Sequence, residues 1–268
     1  LTRGFAHVDA HVPTSNRDDR RAGPTTDAAL AWLGEHGAGP FFLLVHYFDP
    51  HLLYDPPQPH RGRFAAPRDR RAGGRTFGMF GELRALRRGE ITLTTEALER
   101  LEKLHDGEVA YVDAQVGRLL DGLARLGLDD RTVVCVVADH GEEFGDHGGF
   151  EHGHTLYDEL LHVPLLLRVP GQDAPRRVDR AVPLIDVAPT LCTLVGLAPP
   201  AGFAGRGLAP LIAGEDGPAR PVVSMGNMWG PGGVALRLGD WKLMVDRADA
   251  LADTAGAPAR LFHTGADP

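Results

Sequence analysis

Short continuous apolar runs and longer stretches of helical spacing follow one another along the chain. The continuous runs, typical of strands covered on both faces, lie at 41–48, 132–138 and 163–167. Apolar residues at helical spacing, with cap residues at the ends, predict helices at 28–36, 94–126, 155–161 and 185–195. Because a long helix followed by a buried strand suits a parallel crossover, the pattern indicates an α/β fold.

The pattern changes in the last part of the chain. The stretch 198–207 is rich in Pro and Gly. Beyond it, short strands are predicted at 222–225, 234–238 and 241–245. Gly239 and Asp240 form a turn signal between the last two strands. We therefore predict an α/β domain over 1–200 and a small antiparallel subdomain over 201–268.

Composition limits the possible classes of protein. A hydrophobic content of 43% supports a substantial core, and a formal net charge of -8 argues against broad binding of nucleic acid. No apolar run approaches the ~20 residues that a membrane-spanning helix needs. Cys135 and Cys192 lack the spacing of a metal knuckle or a disulfide framework. The arginine-rich segment 60–88 is either a solvated face or a basic rim that attracts an anionic substrate.

The first polar residues after the run 132–138 are Asp139 and His140. Ligands of α/β sheets collect beyond the carboxyl ends of strands, and a carboxylate with an imidazole can bind a divalent cation. Gly141 permits a sharp turn behind them. An isolated Asp-His-Gly is more often a strand-end cap. Glycine-spaced histidines follow directly, however, and favour a functional site: His147, His152 and His154.

Several of these segments resemble the sulfatase branch of the alkaline phosphatase superfamily. The segments that carry the main resemblance are Ala-Asp-His-Gly-Glu-Glu-Phe-Gly-Asp-His-Gly at 138–148, His-Gly-His-Thr-Leu-Tyr-Asp-Glu at 152–159 and His-Val-Pro-Leu at 162–165. A second block lies at 40–43, 46–51 and 54–57, and the carboxyl-terminal strands match at 241–243 and 261–263. The resemblance implies a three-layer α/β/α fold with a central, mostly parallel (mixed) sheet and a small carboxyl-terminal antiparallel sheet.

The resemblance also implies roles for individual residues. Asp139 and His140 would ligate a divalent metal, usually Ca²⁺, although the His ligand also allows Zn²⁺ or Mn²⁺. His51 matches a histidine that contacts substrate, and we expect it to be catalytic. His152 falls near a lysine that binds the ester oxygen or assists the leaving group, which implies a catalytic and substrate-binding role. The match slips by one residue there, so His154 is a second substrate-binding candidate.

Two essential parts of the family pattern, which relatives carry in succession, are not found. Relatives carry an Asp-Asp metal pair and then a Cys-x-Pro-x-Arg or Ser-x-Pro-x-Arg segment, whose Cys or Ser becomes the formylglycine nucleophile. Neither Cys135 nor Cys192 lies in such a segment. We therefore expect an amino-terminally truncated sulfatase sequence, inactive alone, with formylglycine on a missing upstream segment. A periplasmic or extracellular location is compatible with the family, and the compartment and oligomeric state are left open.

The predicted function is arylsulfatase-like hydrolysis of a small-molecule or carbohydrate sulfate ester, dependent on a divalent metal. One alternative within the superfamily is a phosphonate or phosphodiester hydrolase, or a phosphoethanolamine transferase that uses a Thr nucleophile. The other alternative is a non-catalytic binding protein on a decayed scaffold. The identity of the nucleophile separates the first alternative from a sulfatase.

Overall fold

A computed structural model describes residues 3–10, 20–52, 54–64, 85–86, 90–172, 174–215, 217–226, 228, 232–246 and 259–266. The chain divides into two compact units, Leu1–Asp130 and Arg131–Pro268. The domain boundary that the sequence places between 200 and 201 stays a prediction. No helix in the described part of the chain is long and apolar enough to cross a membrane.

Among the described residues of the first unit, three helices have defined bounds: α1 (Ala22–His36), α2 (His60–Phe64) and α3 (Thr95–Arg125). The predicted long helix at 94–126 is confirmed as α3, which begins where the Thr94 side chain accepts a hydrogen bond from the Ala97 N–H at 3.2 Å. Helix α1 packs against α3 so closely that a Cβ on Gly122 would lie 2.1 Å from Leu30 Cδ2. This pair of helices forms the core of the unit.

Helix α1 begins earlier than the sequence predicts. The pattern places its cap at Thr25–Asp27, but the helix starts at Ala22, and the residue before it makes no side-chain cap hydrogen bond. The cap comes from Asp49, whose Oδ2 accepts the Ala22 N–H at 2.6 Å. A carboxylate at a helix amino terminus is favourable because it meets unpaired N–H groups and the positive end of the dipole.

The apolar run 41–48 is expected to be a strand covered on both faces, but it pairs with no strand among the described residues. Its side chains alternate between half-buried and exposed positions, the alternation expected of an extended chain with one face covered. Phe42 and Leu44 are 66% and 52% exposed. The run therefore supplies a loop, with Asp49–Pro50–His51 at its end, rather than a paired strand of the described structure.

The second unit opens with β1 (Val134–Val137), which pairs with β4 (Leu165–Arg168). Both strands lie where the sequence predicts them, but their pairing is antiparallel, with Val134 opposite Arg168. Between them lie the hairpin β2 (Glu143–Phe144) and β3 (Phe150–Glu151), and the one-turn helix α4 (Asp158–Leu161). Every ladder in the described ranges is antiparallel, so the expected parallel pairings are not seen there.

Helices α5 (Val187–Leu194) and α6 (Ala209–Ala213) lead to four strands in the order β5 (Val222–Met225), β6 (Gly233–Leu238), β7 (Trp241–Asp246) and β8 (Ala259–His263). This sheet confirms the predicted small antiparallel sheet at the carboxyl end of the chain. Its inner face packs Ala235, Met244 and Phe262 against Leu156 and Leu161, which follow the site histidines in the sequence. Its outer face exposes a set of apolar side chains, each 36–62% accessible: Val223, Leu236, Leu238, Trp241, Leu243 and Leu261.

Candidate active site

The candidate site begins where the chain leaves β1. The Gly141 N–H donates to the carbonyl oxygen of Leu160 at 2.9 Å, so α4 packs directly against the turn. A Cβ on Gly141 would lie 1.9 Å from the Glu159 carbonyl oxygen, which leaves room only for glycine. This close contact fixes the backbone on which Asp139 and His140 stand.

Asp139 and His140 place a carboxylate oxygen and an imidazole nitrogen close to each other. His140 Nδ1 lies 2.9 Å from the Gly141 carbonyl oxygen, and because a carbonyl only accepts, Nδ1 carries the proton. In that tautomer the lone pair of the imidazole lies on Nε2, which is 3.8 Å from Asp139 Oδ1. Two donors that each sit about 2.3 Å from one ion are at most about 4.6 Å apart. The pair therefore fits a divalent metal as two of its ligands.

His152 lies against this pair. Its ring stacks on His140 with 4.0 Å between ring centroids. Its Nδ1 is 2.9 Å from Glu142 Oε1, and the two side chains are only 12% and 7% exposed. The structure thus brings together three of the predicted site residues: Asp139, His140 and His152.

His154 lies in a different environment. Its Nε2 is 2.7 Å from Oε2 of Glu143, a fully buried carboxylate whose Oε1 also accepts the N–H groups of His147 and Gly149. The hydrogen bond to Glu143 raises the pKa of His154, although burial opposes it. Burial alone would raise the pKa of Glu143, but its hydrogen bonds outweigh that effect and lower it. The hydrogen bonds of Glu143 hold the β2–β3 loop in place. The predicted substrate contact of His154 stays a prediction.

A third histidine of the cluster, His147, pairs with Glu159 at 2.8 Å through Nδ1 and stacks on Tyr157. The ligand atoms of Glu143, His147 and Glu159 lie within 4.8 Å of one another, so these residues form a second set that could hold a cation. Glu143 already accepts three hydrogen bonds, however, and a metal would have to displace them. We therefore read this set as a structural network.

The glutamate partners of the histidines were not among the candidate residues. Glu142 and Glu143 meet His152 and His154, ten and eleven residues away, because the β2–β3 hairpin folds the chain back with Glu143 opposite Glu151. A signal was present in the sequence. The adjacent glutamates are followed by glycine-rich residues and then by histidines at similar separation, a spacing compatible with a hairpin.

His51, the remaining candidate, lies in the first unit. Its N–H donates to the Phe48 carbonyl at 2.9 Å, and its Nδ1 contacts the Leu52 carbonyl at 2.7 Å. The turn is fixed by Asp49, which is 3% exposed and caps α1. The segment that follows is also anchored, because the Asp55 N–H donates to Glu108 Oε1 at 2.7 Å. The catalytic and substrate-binding role of His51 stays a prediction.

These features define an α/β protein with a cluster of carboxylates and histidines after a strand of its sheet. A model of the Sulfatase family matches residues 12–197, so the chain belongs to the sulfatase family. It is 29% identical to arylsulfatase K of Mus musculus over 185 residues, which are 65% of this chain and 32% of that protein. The chain thus spans about a third of the length of the curated relatives it matches.

Solved structures confirm the predicted fold class, the alkaline-phosphatase-like α/β fold. Phosphonate monoester hydrolase of Agrobacterium radiobacter is 25% identical, with a TM-score of 0.70 over 92% of this chain and 55% of that one. An enzyme solved with its substrate D-glucosamine-2-N,6-O-disulfate is 17% identical, with a TM-score of 0.67 over 92% of this chain and 63% of that one. The second likeness concerns the fold alone.

Proposed function

We propose that the chain contributes metal ligands and a proton donor to an arylsulfatase-like hydrolase of sulfuric esters. The observation that carries the proposal is the cluster after β1, in which His152 stacks on a histidine whose Nε2 is 3.8 Å from a carboxylate oxygen. The sulfatase family supports the reaction class. The net reaction cleaves the S–O bond of the ester with water and yields an alcohol and hydrogen sulfate.

In this proposal Asp139 and His140 hold a divalent metal, with Ca²⁺ expected and Zn²⁺ or Mn²⁺ as alternatives. When bound, the metal polarises the oxygens of the ester. The contribution of the protein is to prepare the ligands. The Gly141 carbonyl selects the tautomer of His140 that presents Nε2, and the Asp139 side chain is 86% exposed and open to an ion.

The two other predicted catalytic groups act on the substrate. His152 donates a proton to the leaving oxygen, and His51 contacts the ester and stabilises its negative charge. His154 is proposed to act mainly through the β2–β3 loop, since its Nε2 is bonded to a buried carboxylate. We also propose that the nucleophile is formylglycine and lies outside these 268 residues, because the sequence holds no Cys-x-Pro-x-Arg or Ser-x-Pro-x-Arg segment.

A sulfated carbohydrate is the substrate class that we favour. One structural relative was solved with a disulfated glucosamine as its substrate. This relative is similar to the chain only in fold, and its complex supports the proposal that a site of this architecture admits a sulfated sugar. A small aryl sulfate would serve as a reporter, since it carries the same reacting group. The segment 60–88, whose alternative readings are a solvated face or a basic rim that attracts an anionic substrate, lies mostly outside the described residues.

A second candidate function is hydrolysis of phosphonate monoesters. The solved phosphonate monoester hydrolase with 25% identity over most of this chain favours it specifically. Both reactions place a tetrahedral anion beside a divalent metal and a proton donor. The two functions differ in the central atom of the preferred substrate.

The test is a direct comparison of substrates with the protein expressed from its complete coding sequence under conditions that generate formylglycine. We expect 4-nitrophenyl sulfate to be cleaved with a higher kcat/KM than the 4-nitrophenyl ester of phenylphosphonate. Chelation should abolish turnover, Ca²⁺ should restore it, and Asp139→Ala and His140→Ala should lose it, unlike the surface control Glu99→Gln. A reversed substrate preference would favour the phosphonate hydrolase. Calorimetric binding of a sulfate ester without turnover would favour the non-catalytic alternative.

A further inference from the structure

Two neighbouring glutamates in the candidate site each bind a different histidine. Glu142 Oε1 lies 2.9 Å from His152 Nδ1, whereas Glu143 Oε2 lies 2.7 Å from His154 Nε2. The second pair also holds the β2–β3 loop through two backbone N–H groups. The first pair instead includes a ring that stacks on the proposed metal ligand His140. The two glutamates therefore have different surroundings, despite being adjacent in sequence.

The hydrogen bond to Glu142 determines the tautomer and the orientation of the His152 ring. An ionised carboxylate only accepts, so the proton of this bond sits on Nδ1. Both side chains are nearly buried, and a charged hydrogen bond in such surroundings is stronger than one in water. The stack on His140, with 27° between the ring planes, limits rotation of the ring about this bond. Nε2, on the opposite edge of the ring, is then the nitrogen that can meet a substrate oxygen.

We infer that Glu142 is the positioning residue of His152. Its hydrogen bond holds the ring so that Nε2 meets the leaving oxygen of the ester. When the oxygen of the proposed nucleophile bonds to sulfur, the S–O bond to the leaving group breaks, its electron pair stays on the leaving oxygen, and that oxygen takes the proton from Nε2. His152 is left neutral with its proton on Nδ1, still bonded to Glu142, and regains the second proton from water. The inference rests on the proposed ester hydrolysis.

The leaving group of the ester provides the test. Donation of a proton matters more for phenyl sulfate than for 4-nitrophenyl sulfate, because phenol is the poorer leaving group. In the complete protein, Glu142→Ala should lower kcat/KM for phenyl sulfate by about 10- to 100-fold, and for 4-nitrophenyl sulfate by less than about threefold. KM should change little for either ester. A purely structural role of Glu142 would lower both rates by the same factor.

A double variant tests whether Glu142 acts through His152. If it does, Glu142→Ala/His152→Ala should hydrolyse phenyl sulfate no more slowly than His152→Ala alone. Independent, multiplying losses would overturn the inference. Glu142→Gln keeps the side-chain size and an acceptor but removes the charge, and should show an intermediate, leaving-group-dependent loss. Thermal unfolding identifies any variant that does not fold, and if Glu142→Ala is one, the Glu142→Gln comparison decides.

The same experiment separates two kinds of failure. If the unaltered protein cleaves neither ester, the proposed function fails and the role of Glu142 fails with it. If the unaltered protein is active and Glu142→Ala matches it on both esters, the proposed function stands and the role of Glu142 is refuted. Glu99→Gln, which removes an exposed carboxylate of α3, is the matched control and should match the unaltered protein on both esters.

Discussion

The buried pair of Glu143 and His154 allows a quantitative prediction about stability. His154→Ala removes one of the three hydrogen bonds to a carboxylate that is fully buried, and the N–H groups of His147 and Gly149 continue to hold it. A hydrogen bond to a charged group contributes about 1.5–3 kcal/mol, and we expect a loss of about 2 kcal/mol near pH 5.5. For a chain of this size that corresponds to a decrease in Tm of roughly 4–8 °C.

The loss should depend on pH, with a sign that follows from the two pKa shifts. The pKa of His154 is raised from 6.5, so its contribution is complete below that value and declines as the pH rises through the folded-state pKa. The pKa of Glu143 is lowered from 4.5, so its contribution is complete above that value and declines as the pH falls through the folded-state pKa. The stabilisation is therefore greatest between 4.5 and 6.5.

Urea unfolding of the unaltered chain and of His154→Ala at about pH 5.5, 7 and 9 measures this dependence. The difference in unfolding free energy should shrink at the highest pH. The matched control is His162→Ala, since His162 is exposed and its substitution should change stability little at any of the three values. A difference for His154→Ala that stays constant from pH 5.5 to 9 would show that the charge of the imidazole does not contribute, and would refute the reasoning.

Three further predictions concern the backbone and buried carboxylates. Gly141→Ala places a Cβ within 1.9 Å of a backbone oxygen, so Ca²⁺ should no longer raise its Tm; Gly34→Ala, with open space around it, should retain the Ca²⁺ effect. Asp186→Asn weakens the ion pair of a fully buried carboxylate with Arg220 and should cost about 3 kcal/mol in urea unfolding; a loss under 1 kcal/mol would contradict this. Asp49→Ala removes the cap of α1 and should cost about 1–2 kcal/mol, visible as reduced helical circular dichroism near the midpoint temperature of the unaltered chain.

Local signals in the sequence are sufficient for part of the fold. The long helix is predicted at 94–126 and occupies Thr95–Arg125, because its cap and its apolar spacing are both local. Strands β1 and β4 also lie at the apolar runs that predict them. The start of α1 is not predictable in this way, since its cap lies 27 residues further along the chain. Pairing direction is equally non-local, and the antiparallel β1–β4 ladder does not follow from either run alone.

The candidate site shows the same division. Asp139 and His140 are recognisable because a strand and a turn place them, and their donor atoms lie close together as expected. The proximity of His152 to His140 depends on the β2–β3 hairpin and on the contact of Gly141 with α4. The sequence does not distinguish the roles of His152 and His154, but their hydrogen-bond partners in the structure do. Glu142 binds the ring that stacks on the proposed metal ligand His140, and Glu143 holds the β2–β3 loop.

The outer face of the carboxyl-terminal sheet has a consequence for work with the protein in solution. Val223, Leu236, Leu243 and Leu261 form a continuous apolar row across all four strands, in register. An exposed apolar row promotes self-association of the protein. Because sulfate salts strengthen apolar association, we expect them to increase the tendency of the protein to precipitate. Trp241 lies on the same face and is 52% exposed, so its fluorescence should shift to shorter wavelength whenever that face becomes covered. The fluorescence of Trp241 thus reports whether the outer face of the sheet is exposed to solvent or covered by self-association.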